Sequence, residues 1–178
     1  SLSKVFKVVH RFSEDIDLAV DWEMLGFTGL KDPLLPRSKS KQGALNKEMI
    51  ARCGEFIAGE LQETLHRLFE AKLGASGKDS WRIELAGTNP DQPDIVKFHY
   101  PSRTRHEYVE SAVRLELGTH SALLPQQKSV IRPIVAEQFP KVVPDSECSV
   151  IALKAERTFW EKLTILHHEH HRPAESAT

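Results

Sequence analysis

Phe12-Ser-Glu-Asp-Ile-Asp-Leu18 decides how the rest of this chain is read. Taken as a strand, it alternates strictly: Ile16, Leu18 and Val20 point to one face, and Asp15, Asp17 and Asp21 to the other. Two carboxylates one residue apart on a strand have Cα atoms about 7 Å apart and lean the same way. A hard divalent cation wants oxygen ligands and relieves the repulsion between two such acids. The pair is therefore a candidate Mg²⁺ site. By spacing alone, a solvated acidic face is the commoner explanation.

A second strand over 111–118 repeats the logic. Val113, Leu115 and Leu117 form its apolar face, leaving Arg114 and Glu116 on the polar one. If it pairs with the Asp15 strand, Glu116 adds a third carboxylate to the same face. Three carboxylates on adjacent strands can hold the two Mg²⁺ ions of phosphoryl or nucleotidyl transfer. The competing explanation is an exposed Arg114–Glu116 pair of little energetic weight.

The surrounding chain reads as one mixed α+β domain, with no internal repeat and no low-complexity segment. Residues 2–10 carry Leu2, Val5, Phe6 and Val9 at helical spacing. Lys31, Pro33, Pro36, Arg37, Lys39, Lys41 and Lys47 suggest a basic loop over 31–47, either solvated or poised to close over a nucleotide or RNA backbone. Cys53, Ile57, Leu61, Leu65 and Phe69 trace an amphipathic helix over 46–73, closed by Gly74. Strands are expected at 81–85 and 95–100, and an edge or irregular strand at 130–135, where Pro133 interrupts. A short helical turn at 136–139, an apolar run at 150–153 and a final helix over 156–171 follow.

With 178 residues, 40% hydrophobic and 28% charged, the chain can bury a real core as a single domain. A net charge of −1 excludes strong global attraction to nucleic acid, so a polyanion must be held by a local patch. Two cysteines, Cys53 and Cys148, are too few for a disulfide framework and point to a reducing cytoplasm. Cys53 sits on the apolar stripe of the long helix and Cys148 borders the Val150 run, so both read as core residues. No apolar run approaches the roughly 20 residues needed to span a bilayer. No Gly-rich phosphate loop of the P-loop or Rossmann type occurs.

Two further features could carry chemistry. Lys162 lies at the edge of the apolar stripe of the last helix, where it either snorkels to water or reaches an anion such as a triphosphate. His167-His-Glu-His-His171 offers an i, i+4 histidine pair, but the glutamate is misplaced for a His-Glu-x-x-His zinc motif. A solvated helix end whose histidines favour the dipole is the simpler explanation.

Together these residues resemble a family. His10-Arg-Phe-Ser-Glu-Asp-Ile-Asp-Leu18 is similar to the Arg-Phe-Ser-x-Asp-x-Asp-Leu motif of the AbiEii/AbiGii nucleotidyltransferase-like toxins. Glu156-Arg-Thr-Phe-Trp-Glu-Lys-Leu-Thr-Ile-Leu-His167 is similar to that family's late lysine helix, and Val113-Arg-Leu-Glu-Leu-Gly118 sits where it places a third acidic strand. The resemblance implies a DNA polymerase β-like nucleotidyltransferase fold, a mixed sheet flanked by helices. It implies that Asp15, Asp17 and Glu116 bind Mg²⁺ (or Mn²⁺), and that Lys162 assists catalysis at the triphosphate. Ser13, Lys4 and Arg11 join Lys162 as nucleotide-binding candidates.

The implied activity is transfer of NMP from an NTP to an RNA acceptor such as tRNA, by the toxin of a type IV toxin–antitoxin or abortive-infection system with a cognate antitoxin. The alternative is a non-catalytic module of the same fold that binds a nucleotide, RNA or antitoxin. Two departures bear on this choice. The family carries Gly-Gly-Thr or Gly-Gly-Ser just before a stretch like Ser1-Leu-Ser-Lys4, and an acidic residue beyond the lysine helix. Both would fall outside the 178 residues, so the expectation is a chain truncated at both ends and incomplete for catalysis as it stands.

Overall fold

The computed structural model describes residues 2–9, 15–77, 79–87, 89, 93–102, 110–119, 123–144 and 146–172. The architecture is α+β, with a four-stranded mixed sheet, a separate two-stranded sheet and flanking helices. Contacts divide the chain into two compact units, residues 13–121 and residues 1–12 with 122–178.

The larger unit holds the four-stranded sheet in the order β1-β4-β3-β2, from Asp15–Ala19 (β1), Arg82–Ala86 (β2), Ile95–His99 (β3) and Ala112–Gly118 (β4). β1 runs parallel to β4, and the other pairings are antiparallel. The register separates two faces. Ile16, Leu18, Ile83, Leu85, Val96, Phe98, Val113, Leu115 and Leu117 fall on one, and the charged residues of the same strands on the other.

At Phe98 the apolar face meets a long helix made of α1 (Lys39–Phe56), a π turn (Ile57–Leu61) and α2 (Gln62–Leu73), while Ile16 and Leu18 at the β1 edge stay exposed. Phe69 of α2 stacks on Phe98 of β3 with ring centroids 4.3 Å apart. Trp81, 3% exposed, completes the cluster. Its indole N–H donates to the Gly74 carbonyl at 2.9 Å, satisfying an orphan acceptor where the helix ends in a positive-φ glycine. Leu45, Met49, Cys53, Ile57, Leu61, Leu65, Phe69 and Leu73 recur every four residues. In an ideal α-helix that spacing drifts about 40° per step. The wider π turn midway takes back part of the drift.

The helix begins earlier than its apolar period suggests. Ser38 caps it by accepting from the Lys41 N–H at 3.4 Å. Arg37 ties the preceding turn down by donating to the carbonyls of Leu30 and Asp32. Much of the basic stretch expected as a loop over 31–47 is therefore helix. Its lysines sit on the exposed face, where polarity does not oppose helicity.

The smaller unit pairs β5 (Gln126–Ile131) antiparallel with β6 (Cys148–Leu153), with α3 (Ile134–Gln138) between them and α4 (Ala155–His170) after. β5 ends before Pro133, so the expected irregular strand at 130–135 is a regular strand shifted towards the N-terminus. Residues 2–9 are turns, not the expected helix. Lys7 adopts φ 54°, and the Val8 N–H closes back on the Leu2 carbonyl at 3.1 Å. Cys53 is buried as expected, whereas Cys148 is exposed on β6. Among the described residues, no helix is long and apolar enough to cross a membrane.

Candidate active site

The parallel pairing of β1 with β4 aligns Asp17 with Glu116 and Asp15 with Arg114. Side chains at aligned positions of neighbouring strands share a face, and the strands lie about 4.8 Å apart. The backbone alone therefore places Asp15, Asp17 and Glu116 side by side on one face. All five residues of β1 are exposed, as befits an edge strand.

Charge continues across the sheet. β4 aligns Arg114 with Lys97 on β3, and β3 aligns Lys97 with Glu84 and His99 with Arg82 on β2. Ion pairs knit this surface. Arg114 reaches Glu116 at 3.1 Å, Lys97 reaches Glu110 at 3.0 Å, and His99 meets Glu84 at 3.0 Å. His99 is only 8% exposed and has a second carboxylate, Glu110, at 3.9 Å. The hydrogen bond from Lys97 holds the Glu110 carboxyl below its usual range; nearby charges on Lys97, His99 and Arg82 add to this, against a push from burial. On the opposite side, burial pushes the Cys53 thiol up, and the Asp94 carboxylate adds to it. That thiol is part of the core and no nucleophile.

As donors, Asp15, Asp17 and Glu116 offer only hard oxygens, the set that suits Mg²⁺. The side chains are not drawn together: among the described residues no three His, Cys, Asp or Glu groups form a metal cluster. One visible reason is that the Glu116 carboxylate is engaged by Arg114. The donor set fits a divalent cation in chemistry and in strand register, with side-chain rotation needed to close it.

Of the other candidates, Ser13 and Arg11 lie outside the described residues. Lys4 belongs to the smaller unit and donates to the Arg132 carbonyl at 3.1 Å, with Glu137 at 3.9 Å. Lys162 is exposed on α4 of the same unit. The histidine pair of α4 forms as spaced, with the His167 and His171 rings 4.4 Å apart on an exposed helix end. A cleft of about 350 Å³ lies in the larger unit beside Phe27, Lys31, Glu48 and Arg52, and none of the three carboxylates lines it.

Sequence reading overlooked the extent of the charged face. Arg82-x-Glu84 and Lys97-x-His99 carry the same two-residue polar spacing as Arg114-x-Glu116, a signal available before any pairing was known.

The candidate site is thus an acidic edge strand on the mixed sheet of an α+β fold. The family model described as the nucleotidyl transferase AbiEii toxin of type IV toxin–antitoxin systems matches residues 1–177. The chain belongs to this family of nucleotidyltransferase toxins, for which the toxin–antitoxin setting implies a cognate antitoxin. No curated protein and no solved structure matches it.

Proposed function

We propose that this protein transfers a nucleoside monophosphate from an NTP to a hydroxyl of an RNA acceptor, tRNA being the first to test, at the carboxylate face of β1 and β4, breaking the α–β phosphoanhydride bond with pyrophosphate as the leaving group. The observation that carries this reading is the alignment of Asp17 with Glu116 on parallel neighbouring strands, with Asp15 on the same face. Family membership supports the reaction type.

Asp15, Asp17 and Glu116 hold the divalent cations in this reading, Mg²⁺ by the hardness of the donors. When bound, these cations supply charge neutralisation on the triphosphate and a lowered pKa for the attacking hydroxyl. The protein's own groups orient the reactants. By the likeness of their motif to the family's, Ser13 touches the phosphates and Arg11 takes part in nucleotide binding. Lys162 pairs with the triphosphate, a role assigned by the likeness of its helix to the family's lysine motif. Lys4 can do the same only by leaving the Arg132 carbonyl and Glu137. Holding hydroxyl and α-phosphorus in line is where most of the acceleration would arise, since phosphoryl chemistry asks mainly for positioning and charge stabilisation.

Labelled NTPs incubated with the protein, Mg²⁺ and tRNA should yield labelled RNA. Asp15→Asn with Asp17→Asn should abolish the label. A double variant that labels RNA as well as the parent would overturn the assignment.

A further inference from the structure

The carboxylate face contains its own cation. Arg114 is aligned with Asp15 on one side and Lys97 on the other, and its guanidinium sits 3.1 Å from the Glu116 carboxylate. The other described cations of the face are committed elsewhere. Lys97 is bonded to Glu110, and Arg82 approaches Glu84 at 4.0 Å. Arg114 is thus a cation of this face whose ion pair falls on a candidate metal ligand. Its hold is partial. The side chains of Arg114 and Glu116 are 42% and 44% exposed, and the Arg114 Nε is buried with no hydrogen-bond partner among the described residues. A guanidinium that leaves a buried donor unsatisfied has something to gain by turning.

We propose that Arg114 is a positioning residue that acts as an internal counter-ion. It pairs with Glu116 while no divalent cation is bound, keeps that carboxylate apart from Asp15 and Asp17, and is displaced when a cation gathers the three. This rests on the reading of the carboxylate face given above and goes beyond it. The physical basis is competition. Three like charges on adjacent strands repel one another. A cationic side chain at one of them lowers that repulsion, and for the same reason lowers the apparent affinity of a divalent cation for the full set. An exposed ion pair of this kind is a modest competitor, so the effect is a change of degree.

Mn²⁺ binding, followed by the loss of its free-ion paramagnetic resonance signal, tests this without any turnover. Arg114→Gln removes the competitor and should bind Mn²⁺ about threefold more tightly than the parent chain. Arg114→Lys keeps the charge but loses the planar fork, and should fall between the two. A flat series, or one in which Arg114→Gln binds more weakly, overturns the proposal. Should Arg114→Gln fail to fold by circular dichroism, the more conservative Arg114→Lys against the parent decides alone: tighter binding supports the proposal and equal or weaker binding overturns it. Asp17→Asn separates this inference from its foundation. If Asp17→Asn binds Mn²⁺ like the parent, the metal reading itself falls, and the counter-ion role with it. If Asp17→Asn loses Mn²⁺ while the Arg114 series stays flat, only the counter-ion role falls.

Discussion

The two faces of the four-stranded sheet are built from the same strands and differ by a single step along each of them. On one side Phe98 meets Phe69 and Trp81, and Val96 is fully buried. On the other, one residue away at every position, stand Asp17, Lys97, His99, Arg114 and Glu116. The first face carries the aromatic packing of Phe98, Phe69 and Trp81, while Ile16 and Leu18 at its β1 edge stay exposed. The second is held by ion pairs of small net value and is largely open to solvent, with His99 buried beside its carboxylate partners. A slip of one residue in the β1–β4 register would exchange these roles, turning the carboxylates towards the helix and the apolar side chains outward. The placement of Asp17 beside Glu116 is thus a matter of the β1–β4 register.

The sharpest way to break this comparison is to damage one face and read both properties. Trp81 is nearly fully buried and closes the helix end through its indole N–H. Trp81→Ala should cost about 3–5 kcal/mol in denaturant unfolding, because a large cavity opens and the Gly74 carbonyl loses its donor. Asp17→Asn, on the exposed face, should change stability by less than about 0.5 kcal/mol while removing the transfer activity. Equal stability losses in the two variants would mean that the faces are not divided as described.

Cys53 sharpens the comparison on the apolar side. Its folded-state pKa is raised by burial and then by Asp94, so the thiol form is favoured in the native protein. Below the ordinary thiol value of about 8.5 both folded and unfolded states are neutral there, and the contribution is fully present. Above it the unfolded chain ionises first, and stability is lost as pH rises towards the raised native value. Cys53→Ala should flatten the alkaline limb of a stability–pH curve and leave the neutral region's slope unchanged. An alkaline limb of the same steepness in Cys53→Ala would assign the loss to other groups.

The same contrast explains what the sequence could reveal. Alternation made β1 and β4 legible, because apolar and charged residues take turns along each strand. Their pairing was not legible, since β1 and β4 are separated by the long helix and two other strands, and nothing local states which edge β1 joins. The start of α1 was hidden for a different reason. Between Ser38 and Leu45 its exposed lysines carry no apolar period, so only the cap marks it. Turns at 2–9 defeated a genuine helical spacing through the left-handed Lys7, a backbone choice that composition does not announce. The acids of the site were therefore readable as types and spacings, whereas the Arg114 contact that occupies one of them needed coordinates.

Glu110 offers the smallest effect and tests how far the charged face contributes to stability at all. Its pKa is held down chiefly by the hydrogen bond from Lys97. A depressed carboxyl contributes stability that is present above its unfolded value, about 4.3, and is lost as pH falls through the lower folded value. The side chain is 55% exposed, so solvent screening limits the contribution to less than about 1 kcal/mol. Glu110→Gln should therefore lower the melting temperature by no more than a few degrees at neutral pH, and this difference should vanish under acid, where both proteins are uncharged at that position. A gap between Glu110→Gln and the parent that persists at pH 2 would show that the charge of Glu110 is not what separates the two proteins. A gap much larger than 1 kcal/mol at neutral pH would mean that the ion pairs of this face hold the sheet together, and the division between a structural face and a chemical one would fail.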